Sequence, residues 1–548
     1  MTMPAKPTLA AIFLLASFTA TAQSPTTANQ ADIREYIASG WDTLSRSMSE
    51  CKSVADLKVQ TTPVLYLPAD LPTPPAVAAM YANCQVEVDH LPRVIHRIGE
   101  VRPTELSVEG LLYLPNRYVV PGGRFNEMYG WDSYFILLGL VRDGRNDLAR
   151  GMVENFFFEI ENYGAILNAN RTYFFTRSQP PFLSSMIREV YEHPAAGTQP
   201  DLKWFARAYD YAQRDYALWT SAEHQAGNTG LARYHDLGEG PVPEMADDSS
   251  YYPDVIRWLL AHPGVHPEYL VDGPTKPTPA QAAALAKTSC DIAASHVCAL
   301  AVVDGHRLSA TYYRGDRAMR ESGFDTSFRF GPFSGSTDQY APVCLNSLLF
   351  KYEKDMAHFA TLLGRPLEAK TWERRAAARQ DAIDRYLWDA DQGLYLDYDF
   401  TTGKRSSYHF IATFYPLWAG VASPRQAAAV HDHLALFERL GGLATSDYAS
   451  GVQWDLPFGW APTNWLSVSG LDRYGYHEDA ARIARDFSKS ILDNFLRDET
   501  IREKYNVADG SANVKVAAGY TSNVVGFGWT NAVYLKLQDI FAATPATH

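Results

Sequence analysis

From about residue 75 to the end, apolar positions recur at steps of three and four, separated by short connectors and by loops crowded with aromatic and acidic residues. NSLLFKYEKDMAHFATLLG sets Leu349, Tyr352, Met356, Phe359 and Leu363 on one stripe of a helix. GRPLEAKTWERRAAARQDAIDRYLW follows at once, with Pro366 near a helix start and Trp372, Ala376, Ile383 and Leu387 facing inward. RQAAAVHDHLALFERLGG continues the spacing through Val430, Leu434, Phe437 and Leu440, and Gly441-Gly442 supplies the stop. LWDADQGLYLDYDF (387–400) is one of the intervening loops. The pattern predicts stacked helical hairpins, and the lack of a strict internal period favours a closed helical barrel over a superhelical array. Residues 30–60 also read as helical, while VLYLPADLPTPP (64–75) is a proline-rich connector that cannot be helix interior. Residues 238–310, with GEGPVPEMADDSS, VDGPTKPTPAQ and an Ala-rich helix, read as an elaboration on the barrel.

A chain of 548 residues can bury a large core. Its formal charge of -13 argues against nucleic acid or anionic membrane as a partner, because both select Lys and Arg patches. The first residues carry Lys6, an apolar run from Leu9 to about Phe18, and Ala20-Thr21-Ala22 before Gln23. That is the layout of a secretory signal with cleavage after about Ala22, and it predicts a periplasmic or secreted protein. The apolar run is too short to span a bilayer. Export would permit disulfides; Cys290 with Cys298 and Cys51 with Cys84 are possible pairs, with Cys344 left as a buried thiol, and five free thiols are the alternative.

No metal is implied: there is no H-E-x-x-H, C-x-x-C or EF-hand loop, and His431 and His433 point to different helix faces. The nucleophile elbow and the phosphate-binding loop are also missing from the sequence. What remains is a set of polar and aromatic clusters: PGGRFNEMYGWDSYF (121–135), NANRTYFFTRSQPPF (168–182), RGDRAMRESGFDTSFRF (314–330), QWDLPFGWAPTNW (453–465) and REKYNV. Such mixtures suit a sugar, whose ring faces pack on aromatics while its hydroxyls need dense polar partners. Cleaving a glycosidic bond takes one carboxylic acid to protonate the leaving oxygen and one carboxylate to activate water or attack the sugar. Glu127, Asp132, Glu321, Asp325, Asp455 and Glu503 all qualify by composition. Taken alone, Asp325 also reads as a helix cap and Glu503 as a solvated acid between Arg502 and Lys504.

PGGRFNEMYGWDSYF and QWDLPFGWAP resemble the two signature segments of trehalases of glycoside hydrolase family 37, and RSQPPF, ESGFD, EKYNV and GFGWTN fall in that family's order from about residue 90 to 540. The resemblance implies an all-α (α/α)6 barrel with long active-site loops that hydrolyses α,α-trehalose to two glucoses with inversion and without a cofactor. It implies Asp325 as general acid and Glu503 as general base. The implied substrate-binding residues are Arg124, Trp131, Asp132, Asn168, Arg177, Ser178, Gln179, Glu244 and Gly323, with Trp454 walling the cavity beside Trp131. Glu127 is left to support its loop. The chain then divides into a leader (1–22), a helical extension and connector (23–75) and a catalytic barrel (76–548). A monomer acting on a small disaccharide is the expected form.

Three positions depart from the family's pattern. Val242-Pro243-Glu244 stands where the family has R-P-E, Gly519-Tyr520 where it has a glutamate, and ESGFD where it has ESGWD. Among Arg314, Asp316, Arg317 and Arg320, Arg314 is the expected replacement for the absent arginine. These departures leave two further readings: an inverting glucosidase acting on a different disaccharide or glucoside, and a non-catalytic sugar-binding protein.

Overall fold

The inner ring of the molecule is made from helices with long buried stretches, because each is covered by its ring neighbours and by an outer layer. GWDSYFILLGLVR is the clearest case: in the helix Gly130–Arg142, every residue from Gly130 to Leu140 is buried. In the computed structural model, which describes residues 28–55, 62–242, 244, 250–272, 301–516 and 523–543, the ring runs through Gly130–Arg142, Leu183–Glu192, Val343–Leu362, Tyr415–Ala419, Ala461–Arg473 and Gly528–Ala543, and the last packs back onto the first. Asn146–Asn162, Leu202–Trp219, Pro366–Tyr386, Pro424–Asp432, His477–Asp498 and Ala28–Thr43 form the outer layer. This is an (α/α)6 barrel, as the hairpin rhythm and the family resemblance predict. The ring is closed tightly at Gly139, where a Cβ would lie 2.7 Å from that of Ala532.

The outer helices are amphipathic and local signals delimit them. Pro366 opens Pro366–Tyr386, and Trp372, Ala376 and Ile383 are its buried positions. Asp201 caps Leu202–Trp219 by accepting a hydrogen bond from the Trp204 amide.

Three local expectations give way to tertiary structure. VLYLPADLPTPP is more than a connector: Val64–Leu67 is the middle strand of a parallel sheet between Glu87–His90 and Leu111–Leu112. Proline excluded a helix there, but the VLYL run is buried at all four positions and so pairs as a strand. The N-terminal helix buries Ile33, Ile37 and Trp41 in the main core, so it belongs to the barrel wall. The Val430 to Leu440 stripe breaks at Asp432; a 3-10 turn and a short hairpin between Glu438–Arg439 and Gly442–Leu443 follow, leaving Leu440 exposed at the bend.

Cys51 and Cys84 form a disulfide and Cys344 is a buried thiol. Cys290 and Cys298 lie outside the described residues, as do the leader-like residues 1–22 and most of the Ala-rich run. The described part of the 238–310 elaboration has its own small core, built from Tyr251, Tyr252, Val255, Ile256, Tyr312 and Phe333 among others.

Candidate active site

The loops that lead into the inner helices converge on one cavity of about 200 Å³. PGGRFNEMYGWD enters Gly130–Arg142 and brings Arg124, Trp131 and Asp132. The 168–179 loop brings Asn168, Arg177 and Gln179; the turn after Ala310–Glu321 brings Gly323 and Asp325; QWDLPFGW brings Gln453, Trp454 and Trp460. Glu503 immediately precedes the strand Lys504–Asn506, which pairs antiparallel with Phe458–Trp460, and Trp529 comes from the first turn of Gly528–Ala543. Four indoles form a continuous wall. Trp454 stacks on Trp460 at 3.8 Å, and Trp131 lies 5.9 Å from Trp454 and 5.7 Å from Trp529. Gly323 has φ +76°, and a Cβ there would meet the Trp131 indole at 2.8 Å, so only glycine lets the Asp325 turn pass this close.

Four carboxyls line this cavity, Asp132, Glu244, Asp325 and Glu503, and three of them differ in their surroundings. Burial pushes Asp325 up to about 6, against the opposing pull of the Arg320 guanidinium 3.7 Å away. Its side chain keeps 40% of its surface open to the cavity, yet the depth of the cavity within the barrel still disfavours its charge. Phe324 beside it is packed against Trp131, Trp454 and Phe410. Glu503 is buried rather than solvated, and its Oε2 accepts a hydrogen bond from the Lys504 ammonium at 2.9 Å. Lys504 itself is buried, 5.0 Å from the Trp460 ring centre. Asp132 is pushed well above the usual carboxylate range by burial, with repulsion from Glu503 and Asp325 adding to it.

A braced polar shell surrounds them. Arg177 donates to Asn168 Oδ1 at 2.9 Å and to Glu244 Oε1, and its guanidinium lies 4.9 Å from the Phe174 ring centre. Gln179 Oε1 accepts from the Trp131 amide at 3.0 Å. Glu244 Oε2 and Gln453 Oε1 are buried acceptors with no hydrogen-bond partner among the described residues, both on residues lining the cavity. Such orphan acceptors are costly unless a ligand supplies donors.

Two expected binding residues are elsewhere. Arg314 is exposed on the outer face of Ala310–Glu321, 3.9 Å from Asp338, and Arg320 on the same helix reaches the cavity in its place. Ser178 backs the cavity instead of lining it, with its hydroxyl donating to the Ile166 carbonyl at 2.6 Å. The remaining candidate acids serve the framework. Glu127 pairs with Arg171 at 2.7 Å, Glu321 accepts from the Ser178 and His235 amides, and Asp455 gathers Tyr408, Ser446, Ser450 and the Phe328 amide. Trp460, Trp529 and Gln453 were not singled out as binding residues by the sequence, although they lie in the quoted segments, and Arg320 was named there only as one alternative to Arg314. The departing Gly519-Tyr520 lies outside the described residues.

A larger cavity, about 670 Å³, lies behind this one between residues 96–103 and Leu202–Trp219. No Trp, Tyr or Phe lines it, and its Glu100 is paired with the exposed Arg97. The smaller cavity is therefore the one suited to a sugar ring.

The model of the Trehalase family matches residues 76–256 and 299–542. A protein of Eremothecium gossypii named probable trehalase is 34% identical over 92% of this chain and 72% of its own length. Cytosolic neutral trehalases of Saccharomyces cerevisiae and Kluyveromyces lactis are 33% and 36% identical over 90% and 78% of this chain, which spans 69% and 57% of their lengths. A solved structure of neutral trehalase from Saccharomyces cerevisiae superposes with TM-score 0.75 at 30% identity, covering 94% of both chains. The expectation of a periplasmic or secreted protein is overturned by the two neutral trehalases, which are named cytosolic. That expectation rested on residues 1–22, which lie outside the described residues. On the family match and on these identities, the chain belongs to the trehalase family.

Proposed function

We propose that the protein hydrolyses α,α-trehalose to two glucose molecules with inversion, Asp325 acting as general acid and Glu503 as general base. The observation that carries the reading is the pairing of two differently held carboxyls in one Trp-walled cavity that also holds orphan acceptors on Glu244 and Gln453. In this mechanism Asp325 gives its proton to the glycosidic oxygen while Glu503 takes one from the attacking water. Inversion requires the two carboxyls to stand about 6.5 to 9.5 Å apart with the water between. Trp131 and Trp454 pack against sugar faces, while Arg124, Asp132, Asn168, Arg177, Gln179, Glu244 and Arg320 meet hydroxyls. Arg320 supplies the guanidinium that Val242 does not. The relatives' names support a cytosolic enzyme.

A second reading, an inverting glucosidase with another substrate, is favoured by one observation: Val242 is fully buried in the small second core and offers no cation to the cavity. Incubation with α,α-trehalose, followed by NMR of the product anomers, separates the two. Equal initial α- and β-glucose is the expected outcome. Absence of trehalose turnover together with cleavage of another glucoside would select the second reading.

A further inference from the structure

Arg320 lies between two carboxylates, of which one belongs to the cavity. Its Nη1 is 3.7 Å from Asp325 Oδ2. On the other side, Nη2 and Nε lie 3.4 and 3.5 Å from Oδ1 and Oδ2 of Asp316, one helical turn earlier. Asp316 is fully buried and held from the elaboration: the Tyr251 hydroxyl donates to Oδ1 at 3.3 Å and the Tyr252 hydroxyl to Oδ2 at 2.8 Å. The Tyr251 ring also lies under the Arg320 guanidinium at 5.2 Å, and the Tyr252 oxygen accepts from the Val242 amide at 2.9 Å. Val242 is two residues before Glu244, which lines the cavity.

A guanidinium left with a single buried carboxylate would close on it as a two-pronged pair. Closed on Asp325, it would hold that group ionised and remove the proton the reaction needs. We propose that Asp316, pinned by the Tyr251 and Tyr252 hydroxyls, is a positioning residue that holds Arg320 back from Asp325, so that the guanidinium can meet substrate while the acid keeps its proton. The proposal rests on the reading of Asp325 as the acid. Around Asp325 the other charged groups are Arg177, Glu244 and, across the cavity, Asp132 and Glu503. Asp316 is faced by Arg320, Tyr251, Tyr252, Tyr312 and Tyr313. Burial drives Asp325 upward and Arg320 is the largest opposing influence, so the distance between them sets how much of that rise survives.

The test is the pH dependence of kcat/KM for trehalose in Asp316→Asn, Tyr252→Phe and the double variant Asp316→Asn/Arg320→Gln. In Asp316→Asn the alkaline limb is expected to move down by about one pH unit, within the usual effect of an adjacent arginine on a carboxyl. Activity near neutrality then falls about tenfold and returns on acidification. Tyr252→Phe, which keeps its ring in the core, is expected to shift the limb the same way by less and answers the question if Asp316→Asn does not fold. In the double variant the limb should rise above that of the parent. A limb that stays in place while activity falls equally at every pH, or one that moves up in Asp316→Asn, overturns the proposal. Full activity in Asp325→Ala would instead overturn the reading of the acid.

Discussion

Asp325 and Glu503 line the same cavity but are held in opposite ways. Asp325 sits on a glycine-dependent turn after Ala310–Glu321, beside a cluster of aromatic rings, with Arg320 kept at 3.7 Å. Glu503 opens a short strand; its amide donates to the Val524 carbonyl, its own carbonyl accepts from Trp529 Nε1 at 3.2 Å, and its carboxylate holds the Lys504 ammonium at 2.9 Å. A cation at bonding distance favours the charged form of a carboxyl, and a dry aromatic surrounding favours the neutral one. The two carboxyls thus meet different surroundings, as the proposed division into acid and base requires.

Removing either carboxyl is the hardest test of this contrast. Asp325→Ala and Glu503→Ala are each expected to lose about 10² to 10⁴-fold in kcat while circular dichroism shows a folded protein. Retained activity in either would dissolve the comparison. Lys504→Met tests one side only: it leaves Glu503 without the ammonium at 2.9 Å, and kcat should fall about tenfold with the alkaline limb of the pH profile unmoved. Gly323→Ala tests the other side, because its Cβ would meet the Trp131 indole at 2.8 Å at a φ of +76°. It should cost about 1 to 2 kcal/mol in denaturant unfolding and raise KM for trehalose.

The smallest effect is in stability against pH. With Asp325 as the proposed acid, kcat/KM should decline as pH rises through about 6. A carboxyl raised above its unfolded value adds stability at low pH and loses it as pH rises through the folded value. Asp325→Asn should therefore melt slightly higher than the parent above pH about 6, and the difference should vanish in acid. A variant that melts lower at all pH values would mean that the carboxyl is held by favourable contacts rather than by a dry surrounding.

Much of this was legible from the chain because its signals are local. Trp372, Ala376 and Ile383 face inward because one helix face is set by spacing alone, and Pro366 marks its start. The clusters around Asp132, Arg177, Asp325, Trp454 and Glu503 stood out because charge interleaved with tryptophan has little use in a packed core. The choice among Arg314, Arg317 and Arg320 was not legible. Three residues advance a helix by about 300°, so the three arginines fan out in steps of about 60°, and nothing local says which direction is the cavity. Packing sends Arg314 to solvent, Arg317 to Asp236 at 3.0 Å and Arg320 inward. The VLYL strand escaped for a similar reason, since its partners Glu87–His90 and Leu111–Leu112 come from later segments, whereas the break at Asp432 leads into a local hairpin between Glu438–Arg439 and Gly442–Leu443 that apolar spacing alone does not announce.

The sequence by itself determined the helical hairpins, the sugar-suited loops and the family, all of which depend on residue type and spacing along a short stretch. The tertiary structure alone decided which side chains share the cavity, which acids are consumed by framework pairs such as Glu127 with Arg171, and which surroundings each remaining carboxyl receives. Proton affinity depends on dielectric and on charges within a few ångströms. Arg320 and Lys504 are near Asp325 and Glu503 in sequence, but the rings of Trp131 and Trp454 that pack on the Asp325 turn through Phe324 come from distant segments.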